Sequence, residues 1–253
     1  MRLKDKVILV TGGGMGMGRA AALAFAHEGA SVVIADVNDE AGNATAQAIQ
    51  QSGGAAHFVH ADVSRAADCE AMVAAALNRF GKLNVCYVNA AVQLVGQDAR
   101  AHELSEEIWD RTMAINLKGA WLTCKYAIAA MLKSGGGSII IAGSPTGMSG
   151  AGAGFTAYSS SKGGVHGLMR VMAADYARDG IRVNALIPGP MKTPLTKDLF
   201  ADPAVANALA ARVMLGRLGE AEDVTGLLVF LASDESAFCT GGFYMADGGF
   251  TAL

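Results

Sequence analysis

The chain has 253 residues, 52% of them hydrophobic and 17% charged, with a formal net charge of −3. That length and apolar share fit one large α/β domain and exclude intrinsic disorder, and the lack of any long basic run excludes nucleic acid as a partner. Apolar stretches break well short of the about 18 residues that a membrane helix needs, and Met1-Arg2-Leu3-Lys4-Asp5-Lys6 leads straight into a strand-like run, so no signal peptide is expected.

Val7 to Val10 is a short apolar run rich in β-branched residues; glycines follow, then a helical pattern from Ala20 to His27 ending at Gly29. Ser31–Ala35 is a second strand, and Asp39–Gln51 a helix closed by Gly53-Gly54. Ala56–His60 and Leu83–Val88 are strands on either side of a helix over Asp68–Phe80. Helices around Ile108–Leu132 and Tyr158–Arg178 bracket the strand Ser138–Ile141. Ile181–Leu186 is a sixth strand, and a last one lies near Phe243–Met245. Strands alternating with helices imply parallel pairing through right-handed crossovers. The near-continuous apolar strands imply a sheet covered on both faces. The predicted fold is therefore a doubly wound parallel sheet in one domain over residues 1–253, whose ligand lies beyond the carboxyl ends of the strands.

Cys69, Cys86, Cys124 and Cys239 form no CxxC pair, which predicts reduced thiols in a cytosolic interior. His57 and His60 lie three apart on a strand, hence on opposite faces, and no metal site is expected.

Thr11-Gly12-Gly13-Gly14-Met15-Gly16-Met17-Gly18 joins the first strand to the first helix. Such a turn brings backbone N–H groups close to a pyrophosphate at a helix N-terminus, which makes Gly12, Gly14, Met15, Gly16, Met17 and Gly18 candidate contacts. The spacing that matters is Gly12, Gly16, Gly18. Asp36 ends the second strand, about 20 residues on, where a carboxylate accepts from adenosine ribose hydroxyls and repels a 2′-phosphate. Val37 beside it offers no guanidinium, and no Lys or Arg lies between Gly12 and Gly18. NAD is favoured over NADP.

From Val7 to Gly249 the chain resembles the short-chain dehydrogenase/reductase family, in its branch of about this length, through motifs found in order. Thr11–Gly18 resembles that family's glycine turn, and Tyr158-Ser159-Ser160-Ser161-Lys162 its YxxxK. The resemblance implies that Asp62 and Val63 contact adenine. It further implies that Asn89 and Ala90, within Val88-Asn89-Ala90-Ala91, stand for an Asn-Asn-Ala-Gly segment from which the chain departs at Val88 and Ala91. Asn116 would be the catalytic Asn, anchoring a water that passes protons to Lys162, and Ser144 the catalytic Ser. Pro188-Gly189 and Thr193 would close over nicotinamide, with Thr193 bonding its carboxamide. Leu215-Gly216-Arg217-Leu218-Gly219 and Asp247-Gly248-Gly249 also look familiar.

Tyr158 and Lys162, at i and i+4, share one helix face. A free phenol with a pKa of about 10 is a poor base at neutral pH; a nearby ammonium and the charge of oxidised nicotinamide are expected to lower it. Tyr158 then exchanges a proton with the substrate oxygen, Ser144 hydrogen-bonds that oxygen, and Lys162 also holds the nicotinamide ribose. Gln93, Ser144, Thr146, Phe155 and Met191, with Pro145, Met148 and Leu195, are candidate substrate contacts, and their apolar share suits a small ketone. A partly helical lid is expected around residues 190–215.

The resulting expectation is an NAD-dependent oxidoreductase of small secondary alcohols and ketones, cyclic and sugar-like ones included. Two rivals stand beside it. A 3-ketoacyl carrier reductase would prefer NADPH and need a basic landing patch, against which Asp36 and the acidic balance argue. A catalytically silent NAD-binding sensor or scaffold would have lost Tyr158 or Lys162, and neither is lost. Small residues on two helices, Ala127, Ala129 and Ala130 on one and Gly163, Gly164, Gly167, Ala173 and Ala174 on the other, permit close approach of a partner helix. With a second contact at Gly242–Leu253, implied by the resemblance, they predict a cytoplasmic homotetramer of D₂ symmetry.

Overall fold

In the computed structural model, which describes residues 1–150 and 152–252, the apolar runs pair into a parallel sheet. Its strands are β1 (Val7–Thr11), β2 (Ser31–Asp36), β3 (Ala55–His60), β4 (Val85–Val88), β5 (Gly137–Ala142) and β6 (Ile181–Pro188), with β9 (Phe243–Ala246) at one edge. The order is β3-β2-β1-β4-β5-β6-β9, so the winding reverses between β1 and β4 and opens a crevice at their carboxyl ends.

Side-chain alternation along each strand builds two cores. Val7 and Leu9 face one, with α3 (Ala66–Phe80), α5 (Gly119–Met131) and α6 (Thr156–Tyr176); Ile8 and Val10 face the other, with α1 (Gly16–His27), α2 (Asp39–Gln51) and α8 (Thr225–Ala232). Large side chains such as Phe25 and Leu228 are fully buried there, each contributing about 1.5–3 kcal/mol. β3 departs from the expected cover on both faces. It is an edge strand, and His57 and His60 are both exposed.

Several elements differ from the periodicity. α1 starts at Gly16 instead of Ala20, so Met17, Gly18 and Arg19 already belong to its first turn. The single helix expected over Ile108–Leu132 is α4 (Glu106–Met113) and α5, joined by a π-helical turn over Ala114–Lys118. The sequence reading names no helix between residues 216 and 242, yet α8 lies there. Its Thr-Gly-Leu-Leu-Val-Phe-Leu-Ala is apolar nearly all round and carries little periodic signal. A two-residue ribbon, β7 (Met191–Lys192) with β8 (Gly219–Glu220), was also illegible. It brackets the expected lid segment, which holds a 3₁₀ turn (Pro194–Thr196) and α7 (Pro203–Arg212). All four cysteines are free thiols, and among the described residues no three His, Cys, Asp or Glu converge as a metal site.

Candidate active site

Beyond the carboxyl ends of β1, β2, β4, β5 and β6 lies a cavity of about 530 Å³. Its nucleotide end is built by the glycine turn. Gly12 and Gly16 have φ of +63° and +51°, which L side chains rarely adopt. The turn is stapled to the end of β4: Asn89 Nδ2 donates to the Thr11 and Gly12 carbonyls at 3.1 and 3.2 Å, and the Asn89 N–H donates to Thr11 Oγ1 at 3.0 Å. α1 then begins with no side-chain cap and no acid in its first turn, so its N-terminal N–H groups face the cavity without a protein acceptor of charge. That arrangement fits the pyrophosphate of a dinucleotide.

Gly12, Met15, Gly16 and Met17 border the cavity, whereas Gly14 and Gly18 do not. Gly14 turns towards α2: its N–H donates to Asp36 Oδ2 at 2.9 Å and its carbonyl accepts from Thr45 Oγ1 at 3.2 Å. Gly18 lies against the Gly12 carbonyl so closely that a Cβ would collide with it. Both glycines are thus crowded by protein atoms on the side where a Cβ would stand.

Asp36, Asp62, Val63, Asn89, Ala90, Pro188, Gly189 and Thr193 all border the same cavity. Of the two departures in the segment after β4, Ala91 faces the cavity while Val88 packs into the sheet core, so the latter's missing polar group belongs to the interior. Thr193 opens the 3₁₀ turn over Pro194–Thr196, with its N–H donating to Thr196 Oγ1 at 3.1 Å.

The other end of the cavity gathers Ser144, Tyr158 and Lys162. Ser144 follows β5, while Tyr158 and Lys162 lie one turn apart on α6 with the Lys162 ammonium 5.7 Å from the Tyr158 ring centre. Lys162 Nζ donates to the Ala142 carbonyl at 2.8 Å. Burial pushes the Lys162 amine down to about 8 and the Tyr158 phenol up to about 12, with the Ser144 hydroxyl pulling the phenol the other way. Among the protein's own groups desolvation outweighs the Ser144 hydroxyl, and the expected lowering rests in addition on the charge of oxidised nicotinamide. Ser144 Oγ accepts the Thr146 N–H at 3.3 Å and pairs with Thr146 Oγ1 at 3.0 Å.

Asn116 sits behind this wall instead of on it. Its Oδ1 accepts the Val92 N–H at 2.8 Å, and its Nδ2 donates to the Val92 carbonyl and to Ser161 Oγ at 2.9 and 3.1 Å. Both donors of the amide are used within the protein. Gln93, Pro145, Thr146, Phe155, Met191 and Leu195 border the cavity, but Met148 is 44% exposed and outside it. Ile115, Leu199, Phe200, Leu209 and Phe250 complete an apolar lining that sequence did not name.

Two further residues support the wall. His166, one turn beyond Lys162, accepts the Ser144 N–H at Nε2 (3.3 Å), and burial pushes it down to about 4, so it is a neutral acceptor. Asp98 bonds the start of α6, accepting the Tyr158 N–H at 2.9 Å. Spacing could have flagged His166, at i+4 from Lys162; nothing local points to Asp98.

Comparison with known proteins agrees with this geometry. A family model described as enoyl-(acyl carrier protein) reductase matches residues 12–251. The chain is 41% identical over 253 residues to a 2,5-dichloro-2,5-cyclohexadiene-1,4-diol dehydrogenase of Sphingobium indicum, and 37% identical over 251 residues to a cyclopentanol dehydrogenase of Comamonas sp.; each alignment covers 99% of both chains. The crystal structure of a levodione reductase superposes with a TM-score of 0.94 at 32% identity over the full length of both chains.

Proposed function

We propose a reaction for this chain, which belongs to the short-chain dehydrogenase/reductase family of oxidoreductases: the NAD-linked interconversion of a small cyclic secondary alcohol and its ketone. One observation carries it. Ser144, Tyr158 and Lys162 converge on a cavity whose far end holds Asp36 and the uncapped start of α1 and whose remaining walls are mostly apolar. Relatives named for cyclopentanol, cyclohexanol and a cyclohexadiene diol support the ring-shaped substrate.

Bound in this cavity, a nicotinamide dinucleotide would supply the hydride acceptor or donor. Backbone groups of Gly12 and Met15–Met17 would hold its pyrophosphate, Asp36 its adenosine ribose, Asp62 and Val63 its adenine, Asn89 and Ala90 the adjoining edge, and Pro188, Gly189 and Thr193 its nicotinamide half. The chain's own work is on the proton. Tyr158 takes it from the alcohol oxygen in oxidation and returns it to the carbonyl oxygen in reduction. The Ser144 hydroxyl donates to that oxygen and stabilises charge as it develops. Lys162, still largely protonated at neutral pH with its amine at about 8, favours the phenolate form of Tyr158. Asn116 fixes the wall at Val92, and any relay from it to Lys162 runs through groups other than its occupied amide donors. The 194–215 segment, anchored by the Lys192–Glu220 and Arg217–Asp223 pairs, serves as the lid.

Outward stripes at Trp121, Lys125 and Ala129 on α5, with Leu132 just past its end, and at Gly167, Val171 and Ala174 on α6, support pairing of these helices in a tetramer. Ala127, Ala130 and Ala173 are buried within the chain and Gly164 packs on Leu117, so about half of the small residues serve internal packing. Of the second expected contact, Leu253 lies outside the described residues. No helix among the described residues is long and apolar enough to cross a membrane.

The test is turnover of cyclopentanol, cyclohexanol and 1,4-cyclohexanediol with NAD or NADP, followed by absorbance of the reduced nicotinamide, for wild type and Tyr158→Phe. Turnover is expected with a cyclic alcohol, and the variant is expected to lose at least about a hundredfold while binding NADH within about threefold. Absence of turnover with every alcohol under both cofactors refutes the reaction, and a variant that keeps a tenth of the rate refutes Tyr158 as the acid/base. Turnover of 3-ketoacyl-carrier substrates alone would favour the 3-ketoacyl carrier reductase instead.

A further inference from the structure

α6 carries Tyr158 and Lys162, yet its own N-cap residue, Phe155, offers no side-chain acceptor. The acceptor comes from elsewhere. Asp98, 9% exposed and 60 residues upstream of Tyr158, accepts the Ala157 N–H at Oδ1 (3.0 Å) and the Tyr158 N–H at Oδ2 (2.9 Å). Its Oδ1 also accepts the Ala99 N–H at 2.9 Å. A carboxylate at this end of a helix is held by charge-assisted bonds and by the helix dipole.

The Tyr158 carbonyl is tied as well. Ser161 Oγ donates to it at 2.7 Å and accepts from Asn116 Nδ2, while Asn116 grips both backbone groups of Val92. The two ties therefore lead from the N–H and C=O of Tyr158 to the two ends of one loop, Val92 to Asp98. Between those ends sits Gln93, which borders the cavity beside Val92. A Ser or Asp at position 155 would cap the helix equally well without touching this loop. What capping from Asp98 adds is a fixed relation between the Tyr158 backbone and the wall at Gln93.

We propose that Asp98, with Ser161 as its counterpart at the other tie, is a positioning residue that locks Tyr158 to the substrate wall carried by residues 92–98. This rests on the reading of Tyr158 as the acid/base. Loss of either tie lets phenol and wall drift apart, and a misplacement near 1 Å at reacting atoms costs on the order of a hundredfold in rate.

Asp98→Asn keeps the shape but sets an NH₂ against one helix N–H whichever way the amide is turned; Ser161→Ala removes only one oxygen. Both are compared with wild type and with Tyr158→Phe for kcat, KM of a cyclic alcohol, NADH affinity, melting temperature and the deuterium isotope effect with alcohol labelled at the carbinol carbon. The expected result is a fall in kcat of at least about tenfold with a larger isotope effect and NADH affinity within about threefold. A purely structural cap would lower the melting temperature and leave kcat per active site and the isotope effect unchanged. Either variant, folded and with wild-type kcat and isotope effect, overturns the proposal; should Asp98→Asn not fold, Ser161→Ala decides it alone. An active Tyr158→Phe overturns the acid/base reading instead, so the two failures are distinguishable.

Discussion

Replacing Asp36 by Ala removes a carboxylate that works on two sides. On the protein side, Oδ2 accepts the Gly14 N–H at 2.9 Å and Oδ1 the Asn38 N–H at 3.0 Å. Each oxygen keeps a lone pair, and the side chain borders the cavity with Val37 as its neighbour. A ribose hydroxyl donating to such an oxygen contributes about 1.5–3 kcal/mol, the range for hydrogen bonds to charged groups. A 2′-phosphate forfeits at least one such bond and adds like-charge repulsion. The forfeited bond alone corresponds to roughly ten- to hundredfold in kcat/KM, at about 1.4 kcal/mol per factor of ten. Wild type is expected to favour NAD over NADP by at least that lower bound, and Asp36→Ala to narrow the ratio mainly through lost efficiency with NAD. The variant also leaves the buried Gly14 N–H without its acceptor, costing about 1–3 kcal/mol and lowering the melting temperature by several degrees. The assay is kcat/KM for both cofactors at saturating alcohol, with thermal unfolding of both proteins. Equal or better efficiency of wild type with NADP, or an unchanged ratio in the variant, refutes the reasoning.

Lys162 lies at about 8 against an ordinary 10.5, so its buried ammonium costs the fold roughly 3 kcal/mol below pH 8, a cost that fades as pH rises from 8 to 10.5. Allowing for the lost bond to Ala142, Lys162→Met is expected to raise stability at neutral pH by about 1–3 kcal/mol, less at higher pH, while abolishing turnover; denaturant unfolding that shows a less stable variant at neutral pH contradicts this. Because oxidation needs the phenolate and reduction the protonated phenol, alcohol oxidation should climb with pH while ketone reduction stays level and then falls, with burial pushing both changes to higher pH and the charge of bound oxidised nicotinamide pulling the oxidation profile back. Parallel pH–rate profiles for the two directions would contradict it. Light scattering coupled to size exclusion should give about 104 kDa for four chains of 25.9 kDa; a fully active monomer removes the tetramer and leaves the chemistry untouched.

Much of this was legible because it is local. β-branched runs mark β1, β2, β5 and β6, the i, i+4 spacing joins Tyr158 to Lys162, and the glycine turn marks the nucleotide end. What stayed hidden depends on neighbours remote in sequence. The turn marks Gly14 and Gly18 without saying which of their sides is crowded, because that is set by α2 and by the Gly12 carbonyl. α8 buries Leu228, Val229, Leu231 and Ala232 against α1 and the sheet while its half-buried side carries Leu227 and Phe230, so no polar face is left to mark a helical period. Asp98 has no motif at all, since its partners lie 59 and 60 residues away.

The π-helical turn at Ala114–Lys118 has a consequence for how the chain tolerates length change. One extra residue in a helical turn rotates everything downstream by about 100°. α4, before the turn, packs on α6, whereas α5, after it, packs on α3 and the sheet. The wide turn is thus a phase adjuster that lets a nearly continuous rod serve two differently oriented neighbours. Deleting one of its residues would heal the helix into uniform α geometry and leave the downstream faces in place, with Trp121 and Leu132 outward and Cys124 and Ala127 in the core. Deleting a residue from α5 itself would instead turn every later side chain of that helix by about 100°. The chain is therefore expected to survive the loss of a residue in this turn and not in the helix that follows.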